Sequence, residues 1–89
     1  MSESDLVKKS IVVKNKLGLH ARPAALFVQI ANKYDSEISV KKGNQLVNGK
    51  SIMGIMMLAA SRGSRIHITA KGTDAQEAVG ELEKLVSAE

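Results

Sequence analysis

The sequence predicts an α/β fold of the open-faced sandwich type, in which three helices cover one face of a four-stranded, mainly antiparallel sheet. Two observations carry this prediction. Strand-like alternation and helix-like spacing of apolar residues follow one another along the chain in the order β-α-β-β-α-β-α. Each predicted strand has one apolar face and each long helix has one apolar stripe. A single layer of helices on one side of the sheet would bury all of these surfaces.

The pattern of residues 6–14 alternates enough to predict the first strand, with Ile11 and Val13 on one face and Ser10, Val12 and Lys14 on the other. A loop that contains Gly18 follows this strand. Residues 21–34 then predict a helix, because apolar side chains recur three and four positions apart. The apolar stripe consists of Ala24, Phe27, Ile30 and Ala31.

A hairpin and a short apolar helix occupy the middle of the chain. Alternation over residues 37–41 and 45–49, with Gly43 in the turn between them, predicts two antiparallel strands. Ser51 is a favoured residue for a helix N-cap. We predict that the helix which it opens ends at Arg62-Gly63, where a cation and a glycine suit a helix C-terminus.

The last third of the chain predicts a strand and a closing helix. Residues 65–71 alternate cleanly, with Ile66 and Ile68 towards the core and His67 towards solvent. Thr73-Asp74-Ala75-Gln76 matches a capping box, and residues 74–87 carry a regular apolar stripe. The other face of the sheet is predicted to be wet and to carry Ser10, Lys14, Glu37, Lys41, Arg65 and Thr69.

The composition is typical of one small globular domain, with 44% hydrophobic and 25% charged residues among 89. We expect a single domain over residues 1–89, in which residues 1–5 form a flexible N-terminal tail. The chain has no cysteine and two histidines, so we expect no metal site and no cofactor. The longest apolar run is too short to cross a membrane, and the acidic N-terminus is unlike a signal peptide. We therefore expect a cytoplasmic protein without direct membrane binding.

The stretch with the most chemical information surrounds His20. A glycine turn precedes it, and the predicted helix begins just after it, so the imidazole would lie over a helix N-terminus. The backbone N–H groups of Ala21 and Arg22 and the positive end of the helix dipole would favour an anion there. The Arg22 guanidinium adds donors suited to phosphate oxygens. The alternative interpretation is that His20 is an ordinary cap or surface residue.

The apolar residues of 52–60 surround their predicted helix instead of lining one side. Helical spacing places Ile55 and Leu58 on one face with Ala59 near it, and leaves other apolar side chains elsewhere. Either the helix is buried on all sides, or it presents a docking surface to partner proteins. We favour docking, because methionines are common on surfaces that accept several partners. The predicted docking residues are Ile52, Met53 and Met56.

The net charge of +4 favours acidic partners. Phe27 and Tyr34 are the two aromatic residues, which leaves little surface for stacking nucleic-acid bases. We therefore expect acidic protein surfaces as partners and no nucleic acid. A basic nucleic-acid-binding module and a small-molecule-sensing regulatory domain are the alternatives that these features leave open.

Two motifs give the sequence a specific resemblance. Gly18-Leu19-His20-Ala21-Arg22-Pro23-Ala24 and Lys50-Ser51-Ile52-Met53-Gly54-Ile55-Met56 occur in this order, about thirty residues apart. Together they resemble HPr, the histidine-containing phosphocarrier family of the bacterial phosphotransferase system. The resemblance extends over residues 6–88, and the family's open-faced sandwich agrees with the fold predicted above.

The resemblance implies a role for each motif. It makes His20 the residue that carries a transient phosphoryl group on Nδ1, and Arg22 the arginine that stabilises it. It makes Ser51 the serine that an HPr kinase/phosphorylase modifies in many bacteria. The implied partners are enzyme I and the IIA domains of sugar permeases, and the implied state is a monomeric carrier instead of a stand-alone enzyme.

The resemblance leaves the branch of the system open. The first motif is also similar to the nitrogen-related branch, whereas the second is similar to the sugar-transport branch with serine regulation. We favour the sugar branch. Relatives without the histidine act only in regulation, and because this chain keeps His20 we expect a working carrier.

Overall fold

The computed structural model describes residues 5–88, and its elements follow the predicted order. The predicted tail lies outside the described residues except for Asp5. The elements are β1 (Leu6–Val12), α1 (Ala21–Asn32), β2 (Glu37–Lys42), β3 (Gln45–Asn48), α2 (Ile52–Met57), β4 (Arg65–Lys71) and α3 (Ala75–Ser87). The four strands form one sheet in the order β1-β4-β2-β3, and every neighbouring pair is antiparallel.

The core lies between one face of the sheet and the helices. Phe27 of α1 and Leu82 of α3 are fully buried, as are Ile66 and Ile68 of β4. Burial of one such side chain stabilises the folded state by about 1.5–3 kcal/mol. The apolar alternation of the strands and the stripes of the two long helices therefore account for the core as predicted. The fold class is confirmed.

The opposite face of the sheet carries polar side chains. Lys41 of β2 and His67 of β4 are neighbours across the ladder, and both are exposed. The other side chains predicted to be wet are also exposed, except that Thr69 is half-buried. Within residues 5–88, no helix has both the length and the apolar character needed to cross a bilayer.

The predicted end of the middle helix is wrong. α2 ends at Met57, and its C-cap is Leu58. The next residue, Ala59, has a φ of 48°, which takes the chain out of the helix and leaves Ala59 exposed instead of near the buried face. Gly63 belongs to a separate turn, in which its N–H donates to the Val13 carbonyl at 2.8 Å. The chain after α2 therefore pairs with Val13, directly after β1 and distant in sequence, instead of continuing the helix.

The predicted capping box of the last helix is also wrong. α3 begins at Ala75, and its N-cap residue Asp74 makes no side-chain capping bond within the described chain. The Asp74 carboxylate instead accepts hydrogen bonds from the Ser36 hydroxyl, from Ser36 N at 3.0 Å and from Asp35 N at 2.9 Å. These bonds, with the Ser36 hydroxyl first, hold the pKa of Asp74 below its usual value. The carboxylate thus ties the α1–β2 loop to the start of α3.

A second cluster joins the end of α1 to α3. The Glu81 carboxylate accepts from Lys33 Nζ at 2.7 Å and from the Tyr34 hydroxyl at 2.5 Å. The hydrogen bond from Lys33, followed by that from Tyr34, lowers the pKa of Glu81. The bond to Glu81 raises the pKa of Tyr34 to about 12, because it favours the protonated phenol. The cluster thus fixes the position of α1 relative to α3.

Candidate functional site

His20 is the N-cap residue of α1 and is exposed to solvent. Its backbone carbonyl accepts the first helical hydrogen bond, from Ala24 N at 2.7 Å. Its side chain makes no capping bond within the described residues. The imidazole is therefore not used to hold the helix together and is available to a reactant.

The first turn of α1 presents unused donors beside His20. Across residues 5–88, the N–H groups of Ala21 and Arg22 have no protein acceptor, and Pro23 has no N–H. The Arg22 side chain is exposed and makes no ion pair within the same residues. The helix end thus combines an imidazole, two backbone donors and a guanidinium, which is an arrangement suited to a phosphoryl group.

A close backbone contact holds the loop before His20. Gly18 has a φ of 65°, and a Cβ atom there would lie 2.6 Å from the Ala60 carbonyl oxygen. The next residue, Leu19, is buried, and its N–H donates to the same carbonyl at 2.8 Å. His20 therefore follows two residues whose positions are set by the segment after α2.

Ser51 is the N-cap of α2, as predicted from the sequence. Its hydroxyl oxygen accepts a hydrogen bond from Gly54 N at 3.0 Å. The preceding residue, Lys50, donates from Nζ to the Tyr34 carbonyl at 2.6 Å. These contacts place the start of α2 beside the end of α1.

Ser51 and His20 lie at different ends of the helix pair. The start of α1 is next to Ala60, which follows the end of α2. The end of α1 is next to Lys50, which precedes the start of α2. Ser51 is therefore at the end of α2 away from the His20 loop. The structure does not bring the two predicted phosphorylation sites together.

The apolar side chains of α2 divide between the core and solvent. Ile55 is buried, and so is the C-cap Leu58. The exposed side chains, which we call the α2 patch, are Ile52, Met53, Met56 and Met57. The alternative of a helix buried on all sides is wrong, because Met53 is 67% exposed.

Met57 and Leu17 were not among the predicted docking residues, although they are 64% and 68% exposed. The exposure of Met57 could have been predicted, because helical spacing places it on a different face from Ile55 and Leu58. The sequence holds no such signal for Leu17, because it belongs to a loop.

Within residues 5–88, no three His, Asp or Glu side chains lie close enough together to hold a metal ion.

The chain is similar to known proteins along nearly its whole length. A family model described as the PTS HPr component phosphorylation site matches residues 7–88. The HPr-like protein Crh of Halalkalibacterium halodurans is 53% identical over 77 residues, which cover 86% of this chain and 92% of that protein. The phosphocarrier protein HPr of Neisseria meningitidis serogroup A is 48% identical over 82 residues, 92% of each chain. A crystal structure of phosphocarrier protein HPr from Bacillus anthracis has a TM-score of 0.89 and 52% identity, covering 91% of this chain and 96% of that chain.

Proposed function

The chain belongs to the HPr family of the phosphotransferase system, and we propose that it is a carrier which accepts a phosphoryl group from phospho-enzyme I on His20. It then passes the group to the IIA components of sugar permeases. The observation that carries this proposal is the exposed imidazole of His20 at the start of α1, beside the N–H groups of Ala21 and Arg22, which have no acceptor within residues 5–88.

The chemistry follows from that geometry. In the transfer, a bond forms between His20 Nδ1 and phosphorus as the bond to the donor breaks, through a loose transition state with charge on three equatorial oxygens. The amides of Ala21 and Arg22 and the Arg22 guanidinium stabilise that charge. A carrier must also release the group that it accepts. Two amides and one exposed arginine hold it without binding it too tightly for onward transfer.

Incubation with phosphoenolpyruvate and enzyme I tests this function. One acid-labile, base-stable phosphoryl group should appear on the chain, and addition of a IIA domain should remove it. Mass spectrometry of the intact protein measures both steps. An enzyme I preparation that phosphorylates another HPr but leaves this chain unmodified would contradict the proposal.

A purely regulatory role is the second candidate. It is favoured by the 47% identity to Crh of Bacillus subtilis, a protein described as the catabolite repression HPr. Relatives without the histidine act only in regulation, whereas this chain has His20 at the start of α1. The same incubation decides between the two roles. A regulatory protein would remain unmodified by enzyme I.

We further propose that the α2 patch docks enzyme I and the IIA domains. Met53→Glu should weaken both complexes by about tenfold or more, because a charged side chain would be buried against a partner's apolar surface. The melting temperature should change little, since Met53 is 67% exposed. Isothermal titration calorimetry with each partner measures the effect.

Leu46→Glu is the matched control for this docking prediction. Leu46 is 66% exposed, like Met53, but it lies on β3 beside Lys41, on the sheet face away from the helices. The Leu46→Glu substitution should leave the affinities for enzyme I and for the IIA domains within about twofold of those of the unmodified protein. Equal losses for the two variants would show that added negative charge, and not the α2 patch, weakens the complexes.

We propose that phosphorylation of Ser51 by an HPr kinase/phosphorylase is a regulatory switch. A phosphoryl group there would bring a charge of about −1.5 to −2 to the edge of the α2 patch and would weaken docking by repulsion and desolvation. Because Ser51 lies at the end of α2 away from the His20 loop, the effect would act through the partner and not on the imidazole directly.

Ser51→Asp should slow phosphorylation of His20 by enzyme I while the fold persists. Ser51→Ala should lose about 1 kcal/mol of stability with the hydrogen bond from Gly54 N, yet should still be phosphorylated at His20. Quenched time courses of phosphoryl transfer measure the rate of His20 phosphorylation, and thermal unfolding measures stability. If the Asp variant accepts the phosphoryl group as fast as the unmodified chain, Ser51 is only a helix cap.

A further inference from the structure

The sheet face away from the helices carries an excess of positive charge. Four exposed cations extend from its strands, and Glu37 is the one carboxylate among the outward strand residues that the structure describes. These cations, which we call the basic sheet face, are Lys8 of β1, Lys41 of β2, and Arg65 and Lys71 of β4. The helix that carries the α2 patch lies on the other side of the sheet, with Ile55 in the core.

The strand register sets the spacing of these charges. Lys8 lies opposite Thr69, and Lys41 lies opposite His67. The four cations therefore follow one another every two residues along the direction of β4, and Lys8 and Lys41 lie one strand to either side of it. The guanidinium of Arg65 is directed across the sheet and donates to the Ser10 hydroxyl at 3.0 Å. Strands lie about 5 Å apart and rise about 3.3 Å per residue, so the face measures roughly 10 by 20 Å.

No ion pair within the described chain neutralises a cation of the basic sheet face. The ion pairs within residues 5–88 are Lys9–Glu83 and Lys33–Glu81, and both lie on the helical side. Even Lys71 and Glu37, which are neighbours across the β2–β4 ladder, make no ion pair. The four cations have no ion-pair partner within residues 5–88, so they repel one another. A bound anion with several charges would relieve that repulsion.

We propose that the basic sheet face binds an acidic segment of a partner protein, in which about six extended residues place carboxylates against Lys8, Lys41 and Arg65. A segment of this length matches the face along β4. The unused donors of the Arg65 guanidinium suit a carboxylate. Glu37 marks the end of the face where an acidic segment would be repelled.

A protein partner fits this surface better than nucleic acid does. Single strands bind to basic surfaces chiefly where aromatic side chains stack with the bases. Phe27 is fully buried in the core, and the hydroxyl of Tyr34 donates to Glu81 on the helical side. The basic sheet face therefore offers charge and hydrogen-bond donors without a stacking surface.

Titration of the isotopically labelled protein with an oligoglutamate peptide of about ten residues, at about 50 mM NaCl, tests the proposal. Amide chemical shifts should change on the strands around Lys8, Lys41 and Arg65, and much less at Ala21 and Arg22. About 500 mM NaCl should abolish the changes, because salt screens exposed charges.

Substitutions that change the charge of the basic sheet face should change the peptide affinity in opposite directions. Lys8→Glu and Lys41→Glu should each weaken peptide binding by about fivefold, whereas Glu37→Gln should strengthen it by about twofold. Lys84→Glu is the matched control, because it makes the same change in net charge on α3 and should change affinity by less than about twofold. All four variants should accept a phosphoryl group on His20 at the unmodified rate, which separates this proposal from the phosphocarrier function.

Several results would overturn the proposal. Equal losses of peptide affinity for Lys41→Glu and Lys84→Glu would show that binding depends on net charge alone and not on the basic sheet face. Shift changes centred on Ala21 and Arg22 would assign the peptide to the His20 site. Tighter binding of a ten-nucleotide oligothymidylate would make nucleic acid the ligand. Self-association of the free protein that Lys41→Glu abolishes would make the occupant a second copy of this chain.

Discussion

His20→Ala should accept no phosphoryl group from enzyme I under conditions in which the unmodified chain accepts one. The substitution removes the nitrogen that we propose as the nucleophile and leaves Ala21 and Arg22 in place. The fold should persist, because the His20 side chain makes no capping bond within the described residues and is exposed. Mass spectrometry of the intact protein measures the phosphoryl group, and circular dichroism checks the fold.

The second histidine provides the control for this result. His67 is exposed on β4, beside Lys41 and on the sheet face away from the helices. His67→Ala should be phosphorylated as fast as the unmodified chain. A phosphoryl group that persists in His20→Ala but disappears in His67→Ala would transfer the carrier role to His67.

Gly18→Ala should cost about 3 kcal/mol of stability or more and should slow phosphoryl transfer as well. Gly18 has a φ of 65°, where an L side chain costs about 1–2 kcal/mol. Its new Cβ atom would also lie 2.6 Å from the Ala60 carbonyl oxygen and 2.9 Å from Ser61 Cα. Because these are backbone atoms, relief requires the chain to move, and the hydrogen bond from Leu19 N to Ala60 weakens. His20 would then lose its position.

Gly43→Ala separates the two causes. Gly43 has a similar φ of 60°, but a Cβ atom there would have no neighbour within 4 Å. This variant should therefore lose only about 1–2 kcal/mol and should transfer the phosphoryl group normally. Urea unfolding and transfer kinetics of both variants decide the question. Equal losses of stability would mean that backbone strain, and not the contact with Ala60, constrains Gly18.

Local pattern was sufficient for the order of the elements and for most of the core. Phe27 and Ala31 could be assigned to the core because helical spacing depends on residues a few positions apart. Ile66 and Ile68 follow from strand alternation in the same way. The place of His20 at the start of α1 was also predictable, because the glycine before it and the proline after it act on neighbouring backbone.

Contacts between distant residues decided the rest. The end of α2 depends on the positive φ of Ala59 and on the pairing of the following turn with the end of β1. Thr73 to Gln76 have the local pattern of a capping box, yet the N-cap of α3 is Asp74. Its carboxylate accepts hydrogen bonds from Ser36, because the fold brings the α1–β2 loop to it. The approach of Gly18 to Ala60 likewise joins residues far apart in the chain. Periodicity carries no information about such contacts, since they form only when the sheet and helices have assembled.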